Sequence, residues 1–222
     1  TTNIGVDFGF LNNRLTGSFE YYWKYNNDML SSPQLPHQIG IGVPKLNIGK
    51  LKTWGWDFNI SWKDKIKDVS YQVSFNLSDS DNKLVEYNGA SVIKAGAELL
   101  EGYSINTIWG YETDGFWKSR EEYEQYKKDH PGYKSFNDGK ISGGDVKYVA
   151  QGKADHEIGV GGATPEDPGD LVCLGNSNGR YLYGINLAAQ WKGFDISVMF
   201  QGVGKRKVMI NPEAFAPLWQ DY

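Results

Sequence analysis

The sequence of 222 residues predicts an all-β protein, namely part of a large antiparallel transmembrane β-barrel with about six strands and a long extracellular loop that carries a short helix. Three observations lead to this prediction. Six segments alternate between apolar and polar residues with a period of two, as β-strands do. The connections between these segments are alternately short and long. Aromatic residues gather at the segment ends, while aliphatic residues fill the centres, which is typical of outer-membrane barrels.

Composition excludes several other classes of protein. The formal net charge of −4 gives no reason to expect a nucleic-acid partner. Cys173 is the single cysteine, so the chain has no disulfide framework and no thiolate metal cluster. No apolar run reaches the roughly 18 to 20 residues of a membrane helix. The chain opens without a signal peptide, and we expect it to be a processed or internal piece of a longer protein.

The strands are predicted at about residues 2–10, 14–26, 46–62, 69–80, 180–191 and 194–204. In the second of these, Leu15, Phe19 and Trp23 fall on one face, whereas Thr16 and Glu20 fall on the other. The other five segments follow the same rule. The alternating stretch within each strand is close to the 9 to 11 residues that a tilted strand needs to cross a bilayer.

The connections are expected to sort by length. Leu11 to Asn13, Lys63 to Asp68 and Lys192-Gly193 are read as short turns, and the last has the length of a hairpin turn. The connection from 27 to 45, the segment from about 81 to 179 and the segment after 204 are long. Outer-membrane barrels show this asymmetry, with short periplasmic turns and long external loops.

The long loop is expected to contain a helix over Ser119 to Asp129. Ser119 can cap its first turn, and Glu122 three residues later completes a capping box. His130-Pro131 ends it, because the residue before a proline disfavours helical geometry.

The pattern alone leaves two alternatives open for the apolar faces. They face lipid, or they face the core of a soluble β-sandwich. The centres of the six apolar faces carry no charge, which favours lipid, since a lysine or arginine there would cost roughly 2 to 4 kcal/mol at the bilayer midplane. Six strands cannot enclose a wide lumen, so the chain would supply one part of a barrel.

Several stretches resemble SusC-like TonB-dependent transporters, the outer-membrane nutrient importers of Bacteroidetes. They are NIGVDFGFLNNRLTGSFEYYWKYNNDML (3–30), WGWDFNISWKDKIKDVSYQVSFNLSDSDNKL (54–84), GYETDGFWKSREEY (110–123), GDVKYV (144–149) and GDLVCLGNSNGRYLYGINLAAQWKGFDISVMFQGVGKR (169–206). The resemblance is collinear and covers most of the chain. It implies that residues 1–222 are a late part of such a barrel, without the plug domain and the C-terminal strands.

The resemblance also implies a function and partners. Such transporters lie in the outer membrane of Gram-negative bacteria and import oligosaccharides, or in some cases peptides. They work with a SusD-like surface lipoprotein and draw energy from TonB, here through parts outside this chain. Outer-membrane lipid would be a further partner. The rival hypothesis is a soluble β-sandwich that binds carbohydrate.

One departure concerns a metal. Relatives often carry a calcium-like loop after the stretch that resembles GDVKY. In residues 148–162 of this chain, Ala150, Gly152 and Ala154 stand where oxygen ligands would be expected. Asp155 and Glu157 remain but make a poor hard-cation site, so we predict no cofactor and no metal.

Candidate ligand-binding residues lie in the long loop. Trp109, Tyr111 and Trp117 occupy a glycine-rich stretch with Asp114 between them. Sugar rings stack on aromatic faces, and their hydroxyl groups bond to carboxylates. The alternative is that these aromatics pack the loop's own small core. No catalytic residue is predicted, since neither a metalloprotease spacing nor a nucleophile motif is present, and the chain is expected not to be an enzyme.

Overall fold

A computed structural model describes residues 1–31, 46–87, 93, 96–152, 156–159 and 164–210. The strands are β1 Thr2–Phe10, β2 Leu15–Ser31, β3 Leu46–Ile66, β4 Val69–Tyr87, β5 Gly96–Glu98, β6 Thr107–Tyr111, β7 Thr113–Phe116, β8 Val146–Tyr148, β9 Leu171–Asn176, β10 Arg180–Trp191 and β11 Phe194–Lys205. One α-helix, α1, runs from Arg120 to Asp129, and a single 3-10 turn covers Asp138–Lys140.

Six strands form one antiparallel sheet in the order β1-β2-β3-β4-β10-β11. Its register aligns the predicted apolar positions across all six strands. One row contains Val6, Phe19, Phe58, Leu77, Tyr183 and Gly202. The next row contains Asp7, Ser18, Asn59, Asn76, Gly184 and Gln201. Since neighbouring rows point to opposite faces, the sheet has one apolar and one polar face, as the alternation predicted.

The tight turns lie at one end of this sheet and need left-handed backbone. Leu11, Asn12 and Asn13 have φ of 56°, 58° and 62°. Lys192 and Gly193 have φ of 45° and 86°, and two consecutive positive values define the hairpin turn that matches strand twist. These connections confirm the predicted antiparallel fold class.

The charged stretch at 63–68 differs from the expectation of a six-residue turn. β3 continues to Ile66, and Lys65 pairs with Ser70 across the sheet. Arg14 holds this end of the strand, because its backbone oxygen accepts from Lys63 N at 2.8 Å and its guanidinium lies 3.2 Å from Asp64. At the other end β2 reaches Ser31 and β4 reaches Tyr87, both beyond the predicted ends.

The aromatic rows are spaced as a bilayer requires. One row of the apolar face contains Ile66, Val69, Trp191 and Phe194, another contains Tyr21 and Trp56, and ten residues of β3 separate the two rows. Ten residues extend about 34 Å along a strand. At a tilt of about 40°, this corresponds to a height of about 26 Å, close to the ~25 Å apolar band of outer-membrane barrels.

A second unit is formed by described residues between Ile93 and Leu100 and between Asn106 and Ser177. It contains the sheet β5-β6-β9, the two-stranded sheet β7-β8 and α1. Ser119 caps α1 by accepting from Glu122 N at 3.3 Å, and the Glu122 carboxylate accepts from Lys118 N at 2.7 Å. The predicted helix and its Ser119 cap are therefore present, and the Glu122 carboxylate returns to Lys118 N instead of the Ser119 N–H of a standard capping box. Among the described residues, no helix has the length and apolar character needed to span a membrane.

Candidate functional site

The polar face of the six-stranded sheet carries hydroxyl and amide side chains over its centre, with the Asp7 carboxylate in the same row as Ser18 and Asn59. Ser61 and Ser74 oxygens lie 2.9 Å apart, and Gln72 donates to each of them at 3.1 Å. Asn59 donates to Ser18 at 3.4 Å. A cavity of about 490 Å³ opens onto these side chains. Hydroxyl and amide groups both donate and accept, so this face can exchange hydrogen bonds with water or with a polar solute.

The opposite face is apolar and open. Val6 is 61% exposed, Ile196 is 65% exposed and Phe200 is 55% exposed. Single exposed apolar side chains are ordinary on a protein surface, whereas a continuous face of this size marks contact with lipid or with another protein. The core that a sandwich would build over this face is not seen at these residues, and their exposure favours lipid.

Arg180 forms an ionic cluster at the outer end of β4. Its guanidinium lies 2.5 Å from Asp79 through Nε and 2.5 Å from Asp81 through Nη1. Ser104 donates to Asp81 at 3.1 Å. Asp79 is almost fully buried, and two charge-assisted bonds to one guanidinium offset the cost of burying its charge. The cluster joins β4 to β10 where the chain leaves and re-enters the sheet.

Two of the four predicted ligand-binding residues are core residues of the second unit. Trp117 is 1% exposed, and its ring packs edge-on against Tyr123 and Tyr126, with centroid distances of 5.1 Å and 5.4 Å. Trp109 lies in β6 and is 5% exposed. A sugar ring stacks on an open aromatic face, and in this conformation neither indole presents one. These two side chains are placed as in the alternative interpretation, in which the aromatic residues pack the loop's own core.

Tyr111 and Asp114 occupy different surroundings. Asp114 is exposed, and its carboxylate lies 3.1 Å from the Lys147 ammonium. That ammonium also sits 5.2 Å from the centre of the Trp117 ring and 4.9 Å from that of Tyr126, in cation–π geometry. Asp114 therefore orients a lysine over the core of the second unit.

Tyr111 belongs to a cluster of three rings with Phe136 and Tyr148. All three pairs are edge-to-face, with centroids 4.9 Å, 5.9 Å and 5.1 Å apart. Phe136 is 37% exposed. Gly159 lies so close behind this ring that a Cβ there would meet its Cε1 at 2.7 Å. The Phe136 ring is thus held in place by packing on one side and remains accessible on the other.

A cleft of about 380 Å³ lies beside this cluster. Its lining includes Ser135, Phe136, Asn137, Lys140, Asp145 and Tyr148. The volume is at the lower end of the ~300–1,000 Å³ typical of ligand pockets. The Ser135 hydroxyl is buried beside the Tyr133 hydroxyl. The Tyr133 hydroxyl donates to the Tyr148 carbonyl at 2.7 Å, and its oxygen can accept from Ser135.

The cleft combines an aromatic surface with groups that donate and groups that accept. The Lys140 ammonium only donates, whereas the Asn137 amide does both. The Tyr148 carbonyl on β8 is bonded to Tyr133, so this strand does not offer that carbonyl to an added strand. These features suit a small hydroxylated ligand with one apolar face.

Burial and hydrogen bonding shift the pKa values of three ionisable groups near the cleft. Burial raises the pKa of Tyr133 to about 12. Burial also raises the pKa of Tyr123, and the hydrogen bond that its hydroxyl donates to Asp138 adds to this rise. The Lys127 ammonium, 2.7 Å from Asp138, lowers the pKa of that carboxyl group, and the Tyr123 bond lowers it further. These pKa shifts arise from a network of structural hydrogen bonds and an ion pair, and they do not indicate a proton-transfer site.

Sequence reasoning missed Phe136, Tyr148 and Asp170. Asp170 is a buried carboxylate that accepts from Gln151 N at 2.9 Å and Gly159 N at 2.8 Å, and its oxygen lies 2.7 Å from His156 Nε2. The one available signal was the position of Phe136 before an Asn-Asp-Gly turn.

The expectation about a metal falls on residues 148–162. Asp155 lies outside the described residues. Glu157 is paired with Lys134, with 3.6 Å between the charged atoms. Of the two carboxylates considered as calcium ligands, Glu157 is the one among the described residues, and it forms this ion pair.

Known proteins similar in sequence are TonB-dependent receptors. A receptor of Formosa agariphila is 26% identical over 221 residues, which cover 94% of this chain and 20% of the relative. The receptor SusC of Bacteroides thetaiotaomicron is 27% identical over 210 residues, covering 89% of this chain and 18% of the relative. The chain thus spans about a fifth of the length of these relatives. No family model matches it.

Solved structures agree on the fold. The RagAB peptide transporter matches with a TM-score of 0.63 and 19% identity, covering 90% of this chain and 20% of that chain. The same importer in its closed-closed state gives a TM-score of 0.65. The resemblance to SusC-like TonB-dependent transporters, and the barrel fold class, are confirmed. The relatives are named as receptors and a transporter, in line with the expectation that the chain is not an enzyme.

Proposed function

We propose that this chain is a late segment of the barrel of an outer-membrane TonB-dependent transporter. The observation that carries the proposal is the register of the six-stranded sheet, which sorts apolar and polar rows onto opposite faces. In this proposal the apolar face contacts lipid of a Gram-negative outer membrane. The polar face lines the interior, where nutrients pass. Binding and gated passage are the mechanism, and no bond is made or broken.

The proposed cargo is an oligosaccharide or another small nutrient. A SusD-like surface lipoprotein is the proposed partner on the outside, and TonB delivers energy through parts that lie outside this chain. Similarity to SusC supports this partner, while the peptide transporter RagAB makes a peptide the alternative cargo. The second unit, in the predicted extracellular loop, is the proposed place of ligand contact.

Within that unit, we assign the contact to the cleft beside Tyr111, Phe136 and Tyr148. Phe136 supplies an accessible aromatic ring, and Asn137 and Lys140 supply polar groups in the lining of the cleft. The core around Trp117 packs against Tyr111 and Tyr148, and Asp114 acts through Lys147. Trp117 thus keeps a role, as packing behind the ligand surface.

The test uses the full-length transporter in a strain that lacks its own copy. Growth on a panel of glycans and peptides identifies the cargo. Phe136→Ala should then weaken binding of that cargo by roughly 5- to 150-fold, as expected for one aromatic stacking contact of about 1 to 3 kcal/mol. Phe116→Ala is the matched control, because Phe116 is also exposed in the second unit but does not line the cleft.

Two outcomes would count against the proposal. Recovery of the wild-type protein as a stable detergent-free monomer would contradict the lipid-facing sheet and favour the soluble carbohydrate-binding alternative. Equal cargo binding by the Phe136 and Phe116 variants would be compatible with a transporter but would exclude the cleft as the place where the cargo binds.

A further inference from the structure

Two lysines face each other on the outer part of the apolar face. Lys52 of β3 is directly opposite Lys83 of β4. Both lie two rows beyond Trp54, which is opposite Trp23 of β2, and therefore on the same face as Trp54. Side chains directly opposite each other have Cβ atoms about 4.5 to 5.5 Å apart, and like charges in this position destabilise a sheet. The pair therefore requires compensation from a negative charge.

Carboxylates near this pair are already engaged. Asp81 is bonded to Arg180 at 2.5 Å, and Glu86 is bonded to Lys50 at 2.5 Å. Among the described residues, neither Lys52 nor Lys83 has a carboxylate within ion-pair distance. The Lys52 ammonium instead lies over two rings, 5.7 Å from the centre of Tyr25 and 5.6 Å from that of Trp54. The aromatic contacts fix its position without neutralising its charge.

The height of the pair identifies the source of the missing anion. Lys52 lies four residues beyond Trp56, the outer aromatic row defined above. Four residues extend about 14 Å along a strand. At a tilt of about 40°, this places the backbone of Lys52 about 10 Å above the aromatic row, within reach of the lipid headgroups. On the outer surface of a Gram-negative outer membrane, the charged headgroups are the phosphates of lipopolysaccharide.

We infer that Lys52 and Lys83 form a binding site for a phosphate group of lipopolysaccharide in the outer leaflet. One phosphate oxygen can accept from each ammonium, which converts the repulsion between the lysines into two charge-assisted bonds. The stacked Lys52 is already ordered, so little side-chain freedom is lost on binding. The inference rests on the proposed function, because it requires the apolar face to lie in an outer membrane.

The experiment uses the full-length transporter, stripped of lipid in detergent and titrated with purified lipopolysaccharide. Lys52→Gln and Lys83→Gln should each weaken binding about fivefold, and the double variant about 25-fold, as expected from about 1 kcal/mol per basic residue near an anionic surface. Lys24→Gln is the matched control. Lys24 is directly opposite Thr53, the residue that follows Lys52 in β3. Lys24 therefore lies close to the lysine pair but on the polar face.

A second arm needs no variant. Wild-type protein should bind dephosphorylated lipopolysaccharide at least tenfold more weakly than the phosphorylated form. Equal binding of the two forms, or a double variant that binds like wild type and like the Lys24 control, would overturn the inference. Absence of wild-type protein from the outer membrane would instead refute the proposed function, so the two failures are distinguishable.

Discussion

Replacing Val73 by arginine tests the assignment of the two faces of the sheet. Val73 is opposite Trp62 on one side and Leu187 on the other, and its side chain is 41% exposed. The bilayer centre lies halfway between the rows of Ile66 and Trp56, next to Trp62 in β3. An arginine at position 73 would therefore project into lipid about one residue from the midplane.

The expected cost follows from that depth. A lipid-facing arginine near the midplane of a barrel costs about 2 to 4 kcal/mol, equivalent to a roughly 30- to 900-fold shift of the folding equilibrium. Ser74→Arg is the matched change on the polar face. Ser74 lies opposite Ser61 and Asn186, and loses only its hydrogen bonds with Ser61 and Gln72. Its cost should be about 1 kcal/mol.

The assay is refolding of full-length protein into lipid vesicles over a urea series, with membrane-inserted protein detected by resistance to protease. The Val73 variant should shift the transition to lower urea by an amount corresponding to about 2 to 4 kcal/mol, and the Ser74 variant by much less. Equal shifts, or a larger shift for Ser74→Arg, would refute the assignment of lipid and interior faces.

Three further predictions concern the second unit. Trp117→Ala should destabilise this unit by about 3 to 5 kcal/mol, seen as faster protease cleavage between residues 106 and 177, without reducing the insertion of the barrel. Because contacts in the folded state lower the pKa of Asp138 below its ordinary value of 3.8, its contribution to stability is present above that pH and is lost as pH falls below it. Asp138→Asn should flatten this acid dependence in a thermal unfolding series. Because the pKa of Tyr133 is raised from 10.0 to about 12, its contribution is present below pH 10 and is lost as pH rises towards 12. Because the pKa of Tyr123 is raised as well, ultraviolet titration should show two fewer phenolates near pH 10 in wild type than in the urea-unfolded protein, and Tyr133→Phe should reduce this difference to one.

The strands were predictable because their signal is local. Alternation over Leu15, Phe19 and Trp23 needs only neighbouring residues to be read, and the period of two then fixes both faces. The helix was predictable for the same reason, since Ser119 caps its first turn and Glu122 lies three positions later. The far ends of β2 and β4 were not, because those residues pair only through partners supplied by the rest of the sheet.

The candidate site could be predicted only in part. Tyr111 was identified from its aromatic neighbours along the chain, yet its contacts, Phe136 and Tyr148, are 25 and 37 residues away. Burial of Trp117 depends on Tyr133, Ile141 and other distant residues of the same core. An aromatic residue in a glycine-rich stretch looks the same in sequence whether its ring is covered or open, since tertiary packing decides which.

The Arg180 cluster has a consequence for how such a chain can diversify. It fastens β4 to β10 through Asp79 and Asp81. Closing a flexible loop costs only about 0.6 kcal/mol more for each doubling of its length. The segment between these anchors can therefore grow, shrink or be exchanged at little cost to strand pairing. Pairing of β4 with β10 should therefore tolerate replacement of the segment between them, and grafts between homologues should join just outside Asp81 and Arg180.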